Sequence, residues 1–235
     1  MEVDPVRQVL DQLEALADPS RLAGMARYGI AVDAAMGVSI PELRGIARKF
    51  GTAHALALRL WDTGIHEARI LASLVDNPKE VTASQMDAWV RDFDSWDLCD
   101  QVCSNLFDRT GHAFRKATRW AGRRDEFVRR AGFATMAAAA VHRRDVGDEQ
   151  FAAFLPVIAA TATDERNYVK KAVNWALRQI GKRSRALNRK AVATAKQIQR
   201  MDSRSAQWIG SDALRELTSP AVQSRLRRPP PPRVG

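Results

Sequence analysis

An all-α chain built as an array of helix pairs is what this sequence predicts, and three observations carry the expectation. Apolar residues recur at helical spacing along most of the 235 residues, and no alternating run is flanked by hairpin turns. The breaks between periodic segments are brief, which cuts the chain into about a dozen helices of about 10–15 residues. Lastly, Phe127-Val128-Arg129-Arg130-Ala131 returns as Tyr168-Val169-Lys170-Lys171-Ala172, displaced by 41 residues. That offset falls within the period of about 40–47 residues seen in HEAT-type arrays. Each pair in such a solenoid stacks on its neighbours, and the second helices line a concave face. The expected fold is a HEAT-like helical-repeat solenoid, an α-α superhelix with a concave basic groove.

The elements follow from local chemistry. Asp4 and Pro5 open a helix carrying Val6, Val9, Leu10, Leu13 and Leu16 on one stripe. Asp18-Pro19-Ser20 breaks it, a short helix carries Arg21 to Tyr28, and Gly29 to Gly37 is irregular. Ser39 caps a helix with Pro41 and Glu42 in its first turn, stopped by Gly51. Further helices are predicted at 52–62, 65–76, 82–93, 95–108 and 111–121, then at 125–142, 148–161, 166–181, 184–199 and 203–218. One HEAT-like domain is expected over 1–222. A Pro/Arg-rich tail over 223–235, with four consecutive prolines, is expected to be disordered.

Composition narrows the function. With 46% hydrophobic residues the chain can bury a proper core. No apolar run approaches the roughly 18 residues of a membrane span, and the acidic N-terminus does not resemble a signal peptide. A soluble cytoplasmic protein is the expectation. Cys99 and Cys103, four residues apart on one helix, suit two packed thiols better than a disulfide. The formal net charge is +10, but residues 1–110 hold 11 Lys and Arg against 17 Asp and Glu, whereas residues 111–235 hold 26 against 10. A basic excess confined to one half is the footprint of a surface that meets a polyanion such as duplex DNA or RNA.

Two helices carry the candidate site residues. Asp94-Ser95-Trp96-Asp97-Leu98-Cys99-Asp100 begins with capping chemistry, and Leu98, Val102 and Leu106 then share a stripe. Asp100 falls at the border of that stripe, one turn after Trp96. Asp97 points to the polar side and reads as a first-turn charge favouring the helix dipole. On spacing alone, Asp100 as an ordinary solvated carboxylate stays open. The second helix, Tyr168 to Ile180, has Trp175 at the edge of its apolar arc, flanked by Lys171 and Arg178. Such an indole is either core filler or a wall for a nucleic-acid sugar or base. Arg123, Arg124, Arg129, Arg130, Arg143 and Arg144, continued by Lys182-Arg183-Ser184-Arg185, form a candidate phosphate track. The four histidines are scattered, the cysteines lack partners at zinc-site spacing, and neither a phosphate-cradling glycine loop nor a nucleophile elbow occurs.

Trp96-Asp97-Leu98-Cys99-Asp100 resembles the W-D-x-x-D element of the bacterial DNA alkylation repair glycosylases of the AlkD family, which are built from HEAT-like repeats. Met25-Ala26-Arg27-Tyr28 looks like the family's MARY element, and Gly37-Val38-Ser39-Ile40-Pro41-Glu42-Leu43-Arg44 resembles its G-x-x-x-P-E-x-R segment. Val128-Arg129-Arg130-Ala131 sits where the family has a DNA-contacting arginine, and Val169 to Arg178 looks like the segment with its second site tryptophan. The matches run from about residue 20 to about residue 218. The resemblance implies an enzyme that removes N3- and N7-alkylated purines from duplex DNA by cleaving the N-glycosidic bond; that chemistry needs no cofactor, and a solenoid of this size is expected to be a monomer. By the same carry-over, Asp100 is the catalytic carboxylate, Trp96 and Trp175 are aromatic walls, Arg130 is a backbone clamp and Tyr28 is a further contact. Arg129, Lys170, Lys171, Arg178, Lys182 and Arg183 complete the expected DNA-binding set. Ser39 is a departure, standing where the best-known pattern has glutamine. A HEAT-like module that binds nucleic acid without chemistry predicts the same fold and charge, and the joint presence of Trp96, Asp100, Arg130 and Trp175 is what separates the two.

Overall fold

A computed structural model describes residues 4–227, and the regular elements among them are all helical. In chain order they are α1 (Pro5–Leu16), α2 (Leu22–Arg27), α3 (Ile40–Phe50), α4 (His54–Asp62), α5 (His66–Val75), α6 (Ala83–Trp89) and α7 (Trp96–Asn105). Then come α8 (Ala113–Ala121), α9 (Glu126–His142), α10 (Asp148–Ala152), α11 (Phe154–Thr161), α12 (Asn167–Gly181), α13 (Arg185–Gln199), α14 (Arg204–Leu217) and α15 (Pro220–Arg227). Among the described residues no helix is long and apolar enough to cross a membrane.

The helix ends obey their sequence signals. Asp4 Oδ1 accepts the Val6 N–H at 3.2 Å ahead of Pro5 in α1. At the start of α3, Glu42 reaches back to the Ser39 N–H (2.8 Å), and the Ser39 hydroxyl donates to the same carboxylate oxygen (2.6 Å). Ser39, the residue that departs from the resembled pattern, is thus occupied in a helix cap. Its hydroxyl and N–H, with Arg21 alongside, hold the Glu42 carboxyl down to about 2.

The helices expected over 82–93 and 95–108 end early, at Trp89 and Asn105, each followed by a 3-10 turn, and two larger differences stand beside them. The helix expected over 148–161 is two helices, because Pro156 offers no N–H to the carbonyl of Ala152 and the chain restarts at Phe154. Residues 223–227, expected to belong to a disordered tail, lie in α15. Arg185 Nε donates to the Leu226 carbonyl (2.9 Å) and Arg225 to that of Lys182 (3.0 Å), which anchors this helix. The rest of the expected tail, with its prolines, lies outside the described residues.

Two compact units stand where one domain over 1–222 is expected, one ending at Ala113 and the other beginning at Phe114. The charge segregation read from the sequence maps onto them, the first unit being acidic and the second strongly basic. In the N-terminal unit Trp61 and Trp89 stack at 4.0 Å with 2° between their planes, and Phe93 and Phe107 extend the aromatic core. The irregular loop before α3 is held from below by Glu67 of α5, a fully buried carboxylate. It accepts the N–H groups of Met36 (2.9 Å), Gly37 (2.8 Å) and Val38 (3.3 Å). Three charge-assisted bonds satisfy a group that would otherwise be expensive to bury. Gly37 has φ +79°, and a Cβ there would lie 2.2 Å from the Asp18 carbonyl oxygen.

In the C-terminal unit α9 packs along α12, and α13 along α14. The sequence echo becomes a contact, since the rings of Phe127 and Tyr168 lie 5.6 Å apart on adjacent helices. The core gathers Phe133, Phe151, Phe154, Leu177 and Ile180 around the alanine-rich α9. A Cβ on Gly132 would meet the Ala121 nitrogen at 2.5 Å, so glycine is what lets α9 approach α8 this closely.

Gly37→Ala is expected to lower the unfolding free energy by about 1–3 kcal/mol, through both the left-handed backbone and the collision with Asp18. A urea titration reads it, and an unchanged midpoint would show that the loop relaxes without cost.

Candidate functional site

In the N-terminal unit the site residues stand at the start of α7. Ser95 is extended and fully buried, and Trp96 opens the helix. The Trp96 indole N–H donates to the Tyr28 carbonyl at 2.8 Å, which fixes a half-buried ring at one edge. Tyr28 closes α2, with its N–H donated to the Met25 carbonyl (3.0 Å) and the residue itself 72% exposed. Asp100 is half-buried one turn beyond Trp96, and its backbone carbonyl takes the Ser104 hydroxyl at 2.5 Å. Leu98, Cys99, Val102 and Cys103 are completely buried and seat the opposite face, the two cysteines as thiols. The stripe read from helical phase is therefore the packed face, and Asp100 lies at its border.

Asp97 corrects the sequence reading. Expected as a solvated first-turn charge, it is mostly buried, and its Oδ2 lies 2.9 Å from Nε2 of His66, whose side chain is only 4% exposed. Burial opposes charge on both partners, but the hydrogen bond and mutual attraction outweigh it. The His66 pKa is raised and that of Asp97 lowered. Glu67 and Asp94 add to the negative surroundings of His66. The pair ties the first turn of α7, the helix that carries Trp96 and Asp100, to the first turn of α5, where Glu67 grips the loop.

In the C-terminal unit the expected phosphate track separates into braces and exposed cations. Arg130 is buried and donates to the Tyr168 carbonyl at 2.6 Å, joining α9 to α12. Arg129 donates to the Arg123 carbonyl (2.6 Å) and to Asp164 (2.7 Å), which also binds Arg166. Despite its partial burial, these two guanidinium groups bring the Asp164 carboxyl to about 2. Arg178 and Lys182 share Glu216, each at 2.5 Å. Arg183 is the clearest brace. It donates to the carbonyls of Ala140, Arg143 and Val146 and lies 4.1 Å over the Phe151 ring. Most of its donors are thus used inside the fold, which withdraws it from the track. Arg123, Arg124, Arg144, Arg185 and Lys171 are exposed, and Arg143 pairs with Asp145. Trp175 is half-buried against the core, and Lys170 lies 5.8 Å over the ring of Trp208.

Among the described residues no group of three or more His, Cys, Asp or Glu is placed to hold a metal ion. The model of a family described as DNA alkylation repair enzyme matches residues 9–217. The chain belongs to that family. No curated protein matches it. A solved structure matches with a TM-score of 0.75 at 23% identity, covering 90% of this chain and 95% of the other. That protein is described as one of a new family related to the HEAT-like repeat DNA glycosylases with affinity for branched DNA structures. The likeness confirms the HEAT-like helical-repeat fold. Within this DNA alkylation repair chain the short sequence elements cooperate. The Tyr28 carbonyl at the end of Met25-Ala26-Arg27-Tyr28 holds Trp96, and Gly37 and Val38 are gripped by Glu67.

Sequence reasoning missed His66 and Trp208. Nothing local marks His66 as the partner of a residue 31 positions away. Trp208, 42% exposed, stands fifth in α14 as Lys171 does in α12 and Arg130 in α9, a register that was legible once the repeat was extended by one more helix.

The ion pair predicts a pH window. A raised His66 pKa stabilises the fold fully below its ordinary 6.5, and this is lost as pH rises through the folded value. A lowered Asp97 pKa stabilises fully above its ordinary 3.8, and this is lost as pH falls through the folded value. The contribution is complete between those limits. His66→Gln should cost about 1 kcal/mol more at pH 5.5 than at pH 8.5 in chemical denaturation. An equal cost at both pH values would mean that the pair is neutral.

Proposed function

We propose that this protein is a DNA glycosylase that excises N3- and N7-alkylated purines from duplex DNA by carboxylate-assisted hydrolysis of the N-glycosidic bond. The observation that carries the reading is Asp100 one turn beyond an anchored Trp96, within a chain of the DNA alkylation repair enzyme family. A purine alkylated at N3 or N7 is already cationic, so it leaves without protonation by an enzyme acid. What remains is to stabilise an oxocarbenium-like sugar and to deliver a water. Asp100 does both, by its negative charge in a partly desolvated position and by accepting a proton from the attacking water. The Trp96 and Trp175 indoles offer electron-rich faces to a cationic sugar or base, worth about 0.5–2 kcal/mol each. No cofactor is needed for this chemistry.

In this reading Arg130 is the backbone clamp only by giving up part of its buried bond to the Tyr168 carbonyl, Tyr28 is a further contact, and the exposed Lys171 binds phosphate with Lys170 beside it. Arg178 and Lys182 do so only in competition with Glu216. Arg129 and Arg183 act chiefly by holding the basic surface in shape.

A second reading, a HEAT-like module that binds DNA without cutting it, draws support from the solved structure whose protein is described as having affinity for branched DNA. Excision decides between them. Wild-type protein incubated with duplex containing N7-methylguanine or N3-methyladenine should generate heat-labile abasic sites above the spontaneous rate. If neither base is released, the binding module is the better account. Asp100→Asn should keep duplex affinity within about twofold and lose about 100-fold or more in release rate. Release at the wild-type rate by that variant would remove Asp100 from the catalytic role.

A further inference from the structure

The register that relates α9 to α12 continues into α14. Helices α9, α12 and α14 begin at Glu126, Asn167 and Arg204, and their fifth residues are Arg130, Lys171 and Trp208. In each helix the residues two before and one after this position are buried, namely Val128 and Ala131, Val169 and Ala172, Ala206 and Ile209. The three fifth residues therefore share one helical phase, buried in α9 at Arg130 and exposed in α12 and α14 at Lys171 and Trp208.

Ties between the helices keep that phase in register. Arg130 donates to the Tyr168 carbonyl at 2.6 Å. Ser205 donates to the Asp164 carbonyl at 2.8 Å, and Asn174 to Asp212 at 2.7 Å, so α14 lies beside α12 at matched depth. Across this second step Lys170 places its ammonium 5.8 Å over the Trp208 ring.

Trp208 is 42% exposed, and Val141 is the other large apolar side chain of this unit found exposed among the described residues. An apolar protein partner is a poor fit for Trp208, because Lys170 lies over its ring and Arg204 one turn before it is also cationic, against the acid Glu165, which is occupied by Ser203 and Ser205. A sugar–phosphate strand suits an indole set among cations. Resting on the glycosylase reading only for the presence of DNA, we infer that Trp208, with Lys170, is a further DNA contact, packing on the sugar–phosphate backbone beyond the part of the strand held by the exposed Lys171. One interhelical step of about 8–10 Å separates them, so the grip extends by about three base pairs at about 3.4 Å each.

The test is the affinity of the full chain for an undamaged duplex as a function of salt. Trp208→Ala should weaken binding about fivefold with little change in salt slope, because an aromatic contact releases no counterions. Trp208→Phe should recover most of the loss. Lys170→Gln should reduce the slope by about one. The side chain of Trp208 is exposed, so the thermal midpoint of Trp208→Ala should match wild type and exclude misfolding as the cause. If wild type binds duplex and Trp208→Ala binds it equally well, this inference fails alone. If wild type binds no duplex at all, the preceding reading fails and takes this one with it.

Discussion

Glu67 lies inside the N-terminal unit with almost no exposure, and three successive backbone N–H groups converge on its carboxylate. A loop of nine irregular residues cannot fix its own path, because it forms no repeating hydrogen-bond ladder. Here an anion drawn from a neighbouring helix supplies the missing acceptors. The consequence passes through covalent connection, since the loop continues from Tyr28, whose carbonyl orients the Trp96 indole. One residue before Glu67, His66 secures the same first turn of α7 through Asp97. Two adjacent side chains of α5 thus hold both the loop and the helix that frame Trp96 and Asp100.

The C-terminal unit uses charge differently. Its many cations are not one uniform surface. Arg129 and Arg166 enclose Asp164, Arg178 and Lys182 share Glu216, and Arg183 is turned inward onto three carbonyls and a phenyl face. These groups stiffen the joins between successive helices, where an array of short helices is weakest. The exposed remainder still leaves the unit strongly basic, so stiffness and attraction for a polyanion are drawn from one pool of residues.

The helical architecture was largely legible, because caps, glycine stops and apolar spacing act within a few residues of one another. The 41-residue echo correctly anticipated adjacent helices, and Phe127 and Tyr168 meet ring to ring. The split at Pro156 could have been read from the missing N–H, but the strong apolar pattern of 148–161 masked it. Asp97 could not have been read correctly, because helical phase reports which side of a helix faces the nearest core and is blind to a polar partner 31 residues away. Likewise the spacing placed Arg183 among surface cations, whereas the carbonyls that capture it come from the preceding repeat. Such interactions belong to the packing of repeats, and a single sequence does not display them.

Gly132 and the alanines that follow it give α9 a nearly bare surface, closely approached by α8 on one side and packed along α12. With so little side chain between backbones, α9 cannot shift or fray independently of its neighbours. Its amide hydrogens are therefore expected to exchange among the slowest of the C-terminal unit. Arg130 is borne on this helix, so its position is insulated from local fluctuation, in contrast to the exposed ring of Tyr28.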